Sequence, residues 1–180
     1  MTHEISVNGD TFTLMLSERR IQARVRELAA QLNNEYRDTV PVFIGILNGS
    51  FIFFADLIRA ITIECEVDFL KLSSYGDAKI SSGNVRLLKD LNCQVEGRDI
   101  IVVEDIVDSG LSMEYIRALI LHQNPKTFRI VTLLYKKDAL KIPVHIDYVG
   151  FSIPPDFVIG YGLDYGQRMR NLRAIYRLKK

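Results

Sequence analysis

The feature that most constrains this chain is the stretch from Ile100 to Ser112, Ile-Ile-Val-Val-Glu-Asp-Ile-Val-Asp-Ser-Gly-Leu-Ser. The four β-branched residues from Ile100 to Val103 predict a strand that is buried on both faces, as in a parallel sheet. The carboxylates of Glu104 and Asp105 follow at the predicted carboxyl end of this strand. In an open α/β sheet, ligands bind at the carboxyl ends of the strands. The stretch therefore predicts an α/β fold with a ligand site at this edge of the sheet.

The chemistry of the same stretch indicates a ligand that carries both phosphate and hydroxyl groups. The turn from Asp108 to Ser112 offers backbone N–H groups, two hydroxyls and a helix N-terminus, which suit a phosphate. Glu104 and Asp105 offer only acceptors, which suit sugar hydroxyls or a hydrated Mg2+. The alternative is an ordinary turn in which a serine, Ser109 or Ser112, caps the helix and the acids are surface charges. Two acids before Asp-Ser-Gly-x-Ser favour a phosphorylated sugar with a divalent metal.

Composition and charge limit the functions that this chain can have. The 180 residues are 48% hydrophobic and 25% charged, as in an ordinary globular domain that buries a sizeable core. A net charge of +1 argues against strong attraction to nucleic acid or membranes. Cys65 and Cys93 are too few for a disulfide framework, and the longest apolar run, Phe51 to Ala55, is too short to span a bilayer. The N-terminus lacks a signal core, so we expect a cytoplasmic protein of one domain, residues 1–180.

The N-terminal part predicts a scaffold rather than a site. Residues 5 to 16 are expected to form a short extended segment, and Ser17 is expected to cap a helix that starts near Glu18. Apolar residues recur at helical spacing along its predicted buried face: Ile21, Val25, Leu28, Ala29 and Leu32. Three arginines occupy mostly other positions, and we expect them to form a solvated face: Arg20, Arg24 and Arg26.

Two more strand ends carry residues that suit a ligand. The segment from Val42 to Leu47 predicts a buried strand, and Asn48-Gly49-Ser50 then leads into a helix, which gives a second loop able to bind an anion. The segment from Phe128 to Tyr135 predicts another strand, with Lys136 at its carboxyl end. The right-handed connection of βαβ units places this end at the same sheet edge as Asp108. Each feature alone is also explained by a tight turn or a surface charge.

Two segments look like additions to this sheet. Residues 74 to 84 form a polar, glycine-containing loop of unusual length, which indicates either a functional element or a mobile hairpin. Residues 139 to 170 are interrupted by Pro143, Pro154 and Pro155 and are rich in aromatic side chains. We expect this second segment to be a hood that packs on the edge of the sheet rather than continuing it.

The stretch from Val102 to Gly110 resembles the phosphoribosyl pyrophosphate signature of type I phosphoribosyltransferases, and Ile153 to Tyr165 resembles the hood of the hypoxanthine-guanine members. The resemblance implies the type I phosphoribosyltransferase fold: α/β, with a central, mostly parallel sheet flanked by helices, a small hood and a flexible lid loop. The hood would be formed mainly by residues 139–170 with the N-terminal segment, and the lid by residues 74–84. The implied activity is purine salvage, in which the 5-phosphoribosyl group moves from phosphoribosyl pyrophosphate to N9 of hypoxanthine, guanine or both.

The resemblance also implies a role for each part of the site. Asp108 would be the catalytic residue that accepts the proton from purine N7, and the cofactor would be Mg2+. It further implies a cis peptide bond between Leu47 and Asn48. The other implied residues divide by ligand: for the metal, Glu104, Asp105 and Asp164; for phosphate and ribose, Glu104, Asp105, Asp108, Ser109, Gly110, Leu111 and Ser112; for the purine, Lys136, Phe157, Val158 and Asp164; for pyrophosphate, Asn48, Gly49 and Arg170; and in the lid, Ser74 and Tyr75.

Two departures from the family pattern and two alternatives stay open at this point. Asn48 replaces a lysine that is common in relatives, and Leu111 stands where some relatives have lysine, so fewer cations surround the phosphates. The expected partners are small-molecule substrates and other copies of the chain in a homodimer or homotetramer, with no membrane or nucleic-acid partner. The alternatives are a regulatory protein of the same fold that binds nucleotide and RNA, and a transferase that prefers xanthine.

Overall fold

The computed structural model describes residues 4–74 and 85–179, and these residues form two sheets with helices packed on the larger one. No helix within these two ranges is long and apolar enough to cross a membrane. The elements follow in chain order: β1 (Glu4–Val7), β2 (Asp10–Leu16), α1 (Glu18–Glu35), β3 (Val42–Leu47), α2 (Phe51–Ala60), β4 (Glu66–Ser74), β5 (Val85–Lys89), β6 (Asp99–Val107), α3 (Leu111–Leu121), β7 (Thr127–Tyr135), β8 (Tyr148–Ser152), β9 (Val158–Ile159) and β10 (Ile175–Leu178).

The main sheet confirms the predicted α/β architecture. Its strand order is β5-β4-β3-β6-β7-β8, and every neighbouring pair is parallel except β4 with β5. The central strand β6 is buried along its length apart from the half-buried Ile106, as a strand covered on both faces must be. The apolar faces of α1 and α2 pack in one core cluster with the sheet, and that of α3 packs in a second.

The central strand is longer than the sequence predicts. β6 does not end before Glu104 and Asp105 but continues to Val107, because β7 pairs with it as far as the contact between Val107 and Tyr135. The two acids therefore lie inside a strand, and both residues are less than a tenth exposed. Pairing with a neighbour that is remote in sequence decides where this strand ends, and the local pattern does not contain that information.

The predicted hood boundary is wrong in its first part. Residues 148–152 form β8, which pairs in parallel with β7 and continues the main sheet instead of packing on its edge. The hood is a separate antiparallel sheet in the order β1-β2-β10-β9, so it joins the two ends of the described chain. The expected extended segment at residues 5–16 is in fact the hairpin β1-β2, which turns at Asn8 and Gly9, both with positive φ.

Helix α1 confirms the predicted cap and buried face but corrects the role of its arginines. The Ser17 side chain accepts a hydrogen bond from the backbone of Arg20, and the five predicted apolar residues are all buried. Arg24 is not simply solvated, because its guanidinium donates to the carbonyl oxygens of Val149 and Gly150 at 2.7 and 3.0 Å. These carbonyls belong to β8, the edge strand of the main sheet, and backbone acceptors that lack a partner strand need donors from outside the sheet.

Asp68 in β4 gives a stability prediction that is independent of the site. Its buried carboxylate accepts hydrogen bonds from the backbone N–H groups of Asn92 at 2.6 Å and Cys93 at 2.9 Å, and it pairs with Lys89 at 3.2 Å. Burial acts to raise the pKa of Asp68, but these donors outweigh it and lower the pKa to about 2. We expect Asp68→Asn to lower the free energy of unfolding at pH 7 by about 2–3 kcal/mol.

The pH dependence of this difference provides the check. Because the folded pKa of Asp68 lies below the unfolded value of about 3.9, its stabilisation is complete above that value and declines as the pH falls toward 2. Urea unfolding of the wild type and of Asp68→Asn between about pH 7 and pH 3 should therefore show that their difference in free energy of unfolding becomes smaller only at the acid end. Asp90→Asn is the control, because Asp90 is exposed in the loop that contains Asn92 and Cys93, and its replacement should change the stability little. A difference in the free energy of unfolding that stays constant with pH would contradict the lowered pKa of Asp68.

Candidate active site

The buried acids Glu104 and Asp105 form the floor of the site. Burial raises the pKa of Glu104 well above its ordinary value, and the charge of Asp105 raises it further. Burial also raises the pKa of Asp105, against the lowering effects of a hydrogen bond to Glu104 and the positive charge of Arg170. Two buried carboxylates in contact disfavour the doubly charged form, so a cation or hydroxyl donors at this point would stabilise it.

The predicted phosphate turn opens the helix α3. Gly110 is the residue that precedes the helix, with φ of 84°, so neither Ser109 nor Ser112 occupies the cap position. A β-carbon on Gly110 would lie 2.7 Å from the carbonyl oxygen of Ile142, and the carbonyl of Ser109 accepts a hydrogen bond of 2.9 Å from the backbone of Lys141. The segment after β7 thus forms the outer wall of the turn. The turn lines a pocket of about 90 Å³ beside the N–H groups of the helix N-terminus.

The predicted base-binding lysine contacts the predicted catalytic acid. Lys136 follows β7 and is 7% exposed, and its ammonium lies 2.8 Å from the Asp108 carboxylate. The backbone N–H of Lys136 also donates to the carbonyl of Val107, which fixes the two strand ends together. A donor and a charged acceptor therefore lie side by side at this edge of the sheet.

The second glycine loop lies directly against the buried acids. The peptide bond between Leu47 and Asn48 is cis, as the resemblance implied. A β-carbon on Gly49 would lie 1.8 Å from Asp105 Oδ2, so only glycine leaves room for that carboxylate. On its other side, the carbonyl of Gly49 would lie 2.1 Å from a β-carbon on Gly162. Three segments that are distant in sequence meet at this loop.

The hood supplies an exposed aromatic ring. Phe157 is 46% exposed although its ring packs at 6.3 Å from Phe12 and at 5.7 Å, edge-on, from Tyr165. Val158 is buried in β9, where it pairs with β10, so only its backbone could serve a ligand. An exposed ring that is held from behind by other rings is suited to stacking on a planar base.

Asp164 and Arg170 form the polar part of the hood. Their side chains pair at 2.8 Å, and Arg170 also donates to the carbonyl of Gly162 at 2.8 Å. Asp164 in turn accepts a hydrogen bond of 2.8 Å from the backbone of Gln167. The guanidinium is thus held by a carboxylate and a carbonyl within one loop.

The three acids implied for Mg2+ do not form one cluster. Glu104 and Asp105 are adjacent, whereas Asp164 is paired with Arg170. In the part of the chain that the structure describes, no group of three or more His, Cys, Asp or Glu side chains could hold a metal ion by itself. Protein-bound Mg2+ usually takes one or two carboxylates and completes its shell with waters and substrate phosphates. A buried, acceptor-only pair fits that requirement.

Most of the predicted lid, residues 74–84, lies outside the described residues. Ser74 is the last residue of β4, and Tyr75 lies outside the described residues. Sequence reasoning, for its part, missed Gly162, whose contact with Gly49 joins the hood to the main sheet. The spacing Gly-Tyr-Gly at 160–162 is a signal that could have pointed to it, because paired glycines often mark a close backbone approach.

The main sheet contributes two glycine loops, a buried acid pair and an ammonium–carboxylate pair, and the hood contributes an exposed aromatic ring. Such groups at the strand ends of an α/β sheet are typical of the class of proteins that bind phosphorylated ligands. The model of the family described as phosphoribosyl transferase domain matches residues 15–166. The chain belongs to this family and is a phosphoribosyltransferase.

Individual relatives agree with the family match over most of the chain. The chain is 48% identical over 170 residues to a protein of Bacillus subtilis (strain 168) named hypoxanthine-guanine phosphoribosyltransferase, and the match covers 94% of both chains. A protein of the same name from Mycobacterium bovis is 44% identical, and that match covers 93% of this chain and 86% of the relative.

Solved structures agree as well. A crystal structure of a Bacillus anthracis hypoxanthine-guanine phosphoribosyltransferase superposes with a TM-score of 0.87 at 40% identity, over 92% of this chain and 98% of that one. A Staphylococcus aureus hypoxanthine phosphoribosyltransferase gives a TM-score of 0.88 at 40% identity, over 92% of this chain and 90% of that one. The central fold prediction, the type I phosphoribosyltransferase fold, is confirmed by these structures.

Proposed function

We propose that this enzyme transfers the 5-phosphoribosyl group of phosphoribosyl pyrophosphate to N9 of hypoxanthine, guanine or both. The observation that carries the proposal is the contact of 2.8 Å between Lys136 and Asp108. In a 6-oxopurine, O6 and N7 lie on the same edge of the ring system. An ammonium that donates to O6 and a carboxylate that accepts the N7 proton would match that edge. The printed names of the relatives from Bacillus and Mycobacterium support the same substrates.

The residues of the site divide the catalytic work among them. As purine N9 attacks C1′ and the bond to pyrophosphate breaks, Asp108 takes the N7 proton and makes the base a better nucleophile. Backbone N–H groups from Ser109 to Ser112 hold the 5′-phosphate, and Glu104 and Asp105 hold ribose hydroxyls or metal-bound waters. Holding two substrates in line is itself a large part of the rate.

The leaving group is stabilised by the second loop and the hood. Pyrophosphate gains negative charge as it departs, and the N–H groups of Asn48 and Gly49 with the guanidinium of Arg170 would offset that charge. Mg2+, when bound near Glu104 and Asp105, would neutralise further pyrophosphate charge as a Lewis acid. Because Asn48 carries no charge, backbone donors and the metal bear more of this role than in relatives with a lysine there, and the uncharged Leu111 leaves the 5′-phosphate more dependent on backbone N–H groups.

The site chemistry also sets the order of preference among purines. The ammonium of Lys136 can only donate, so it favours a 6-oxo group and disfavours the 6-amino group of adenine. Asp164 and the loop around it lie toward the purine 2-position in this proposal, where hypoxanthine, guanine and xanthine differ. We further propose a cytoplasmic enzyme, since phosphoribosyl pyrophosphate is a highly charged substrate that does not cross membranes unaided. The homodimer or homotetramer that the family resemblance implies is part of the same proposal.

A direct assay tests the proposal. Wild-type enzyme is given phosphoribosyl pyrophosphate and Mg2+ with hypoxanthine, guanine, xanthine, adenine or uracil, and turnover is followed by absorbance. We expect hypoxanthine and guanine to be consumed and adenine and uracil to be left. Turnover of xanthine alone would show instead that the enzyme is a transferase that prefers xanthine. No turnover of any base by folded, metal-loaded protein, with salt-dependent RNA binding, would replace it by the regulatory function.

Phe157 provides a prediction for the purine side of the site. Replacing its exposed ring in Phe157→Leu removes base stacking, so the KM for the purine should rise roughly 10-fold to 100-fold, while the KM for phosphoribosyl pyrophosphate changes little. Steady-state kinetics with each substrate varied in turn would measure this. Phe151→Leu is the matched control, because Phe151 packs against the core and should affect only stability. Equal purine KM values in the two variants would contradict the stacking role.

A further inference from the structure

Three polar side chains outside the proposed catalytic set form a small cluster. The hydroxyl of Tyr161 donates a hydrogen bond of 2.6 Å to Asp56 Oδ2, and the side-chain amide of Gln22 donates to the same oxygen. The three residues come from the hood loop, α2 and α1. Tyr161 is 3% exposed, and both burial and the charge of Asp56 raise its pKa far above the ordinary value. The hydroxyl is therefore protonated and acts as the donor.

The backbone at Tyr161 has an unusual conformation. Its φ is +51°, and the flanking Gly160 and Gly162 have φ of +95° and +101°. The left-handed region suits glycine but is rarely adopted by residues with a β-carbon. The backbone N–H of Tyr161 donates to the carbonyl of Leu172 at 2.8 Å, and its ring is part of the main core cluster. The contacts of the Tyr161 side chain thus hold the loop in a left-handed backbone conformation that a tyrosine rarely adopts.

The cluster connects the same two loops that meet at the site. One residue after Tyr161, Gly162 lies so close to Gly49 that a β-carbon there would be 2.1 Å from the Gly49 carbonyl oxygen. On the other side, Asp56 belongs to α2, which begins at Phe51, two residues after Gly49. The hydrogen bond between Tyr161 and Asp56 therefore ties the hood loop to the helix that the pyrophosphate loop opens.

A shift of the hood loop would directly change the position of Arg170, a proposed pyrophosphate-binding residue. The carbonyl of Gly162 accepts a hydrogen bond of 2.8 Å from Arg170, whose guanidinium pairs with Asp164. The position of Gly162 thus affects the pyrophosphate loop on one side and the Asp164–Arg170 pair on the other. A shift of about 1 Å in such a positioning contact is large enough to weaken the contacts to a bound pyrophosphate group markedly.

We propose that Tyr161 and Asp56 are positioning residues that set the spacing between the pyrophosphate loop, Asn48-Gly49-Ser50, and the hood loop that carries Asp164. The inference rests on the proposed transfer reaction and deepens it. Affinity for phosphoribosyl pyrophosphate and for pyrophosphate then depends on a hydroxyl group that touches neither of them. Gln22 orients the Asp56 carboxylate, to which Tyr161 also donates, and its contribution to the spacing of the two loops is smaller.

The variant Tyr161→Phe tests this in the full chain with Mg2+. It keeps the ring and removes only the hydroxyl. We expect the KM for phosphoribosyl pyrophosphate to rise roughly 10-fold, with kcat changing less than roughly threefold. Isothermal calorimetry should show pyrophosphate binding weakened by a similar factor. Asp56→Ala should reproduce these changes. Asp56→Asn keeps an acceptor for the tyrosine, so its KM and its pyrophosphate affinity should be close to those of the wild type.

Tyr148→Phe is the matched control for a merely structural effect. Tyr148 also donates its hydroxyl to a carboxylate, that of Glu35, but it lies in β8 and belongs to neither loop. Both tyrosine variants should lose some thermal stability, and only Tyr161→Phe should change the KM. Wild-type kinetics in Tyr161→Phe, or the same KM rise in Tyr148→Phe, would overturn the proposal.

Failure of the inference and failure of the proposed reaction are separable. If the wild type turns over a purine but Tyr161→Phe has unchanged KM and pyrophosphate affinity, only the positioning role is wrong. If the wild type has no turnover, the reaction is wrong, and calorimetry with pyrophosphate still decides the positioning role. Unchanged affinity in Tyr161→Phe, or no binding by the wild type, then overturns it.

Discussion

Asp108→Asn should lower kcat about 100-fold to 10,000-fold and leave the fold intact, which is the range for loss of a general base. The asparagine side chain has nearly the same shape and keeps an oxygen toward Lys136, whose ammonium lies 2.8 Å from the native carboxylate. It no longer accepts a proton from purine N7, so the purine binds but reacts slowly. Steady-state kinetics with hypoxanthine and guanine, together with a thermal unfolding curve, would separate the loss of chemistry from a loss of stability.

A nearby exposed acid supplies the control for this variant. Asp138→Asn removes a carboxylate from the short helical turn that follows Lys136, and because this side chain is exposed, its loss should not affect kcat. A loss of less than 10-fold in Asp108→Asn would contradict its role as the base. An equal loss in Asp138→Asn would indicate that general electrostatics, and not proton transfer, explains the effect.

Gly49→Ala should lower kcat/KM for phosphoribosyl pyrophosphate by about 100-fold, because the loop can no longer lie against the buried acid. The added β-carbon would be 1.8 Å from Asp105 Oδ2, which no side-chain rotation of alanine relieves. Either the loop or the carboxylate must move, and both are proposed to serve the same substrate. Kinetics with phosphoribosyl pyrophosphate varied, and pyrophosphate binding by calorimetry, would measure the effect.

A glycine remote from the site controls for the general cost of the substitution. Gly97 has φ of +69° and nothing within 4 Å of an added β-carbon. Gly97→Ala should cost about 1–2 kcal/mol of stability through its left-handed backbone and leave the kinetics unchanged. Gly49→Ala with wild-type kcat/KM would show that the contact with Asp105 is dispensable.

The parts of the site that lie in or directly after a single strand could be predicted from the sequence. Residues from Ile100 to Ser112 are contiguous, and their order of apolar run, acids, glycine turn and helix is a local pattern with a direct chemical meaning. The loop at Asn48 and the lysine at 136 show the same kind of local pattern, a polar residue directly after an apolar run. The role of the hood sequence from Ile153 to Tyr165 follows only from its resemblance to a family.

The length of β6 and the place of β8 could not be predicted, because strand pairing joins residues that are far apart in sequence. Neither the end of β6 at Val107 nor the membership of residues 148–152 in the main sheet follows from local apolar patterns. The role of Arg24 is a consequence of the same pairing, since it binds carbonyls of the edge strand that only the completed sheet presents.

The class of fold and the family follow from the sequence alone, because they depend on short contiguous motifs, and the same motifs predict the phosphate and acid chemistry of the site. The tertiary structure alone decided which of those motifs touch: Lys136 with Asp108, Gly49 with Asp105 and Gly162, and Tyr161 with Asp56. Such contacts depend on the packing of whole elements and on distances of a few tenths of an ångström, which no local pattern of residue types specifies.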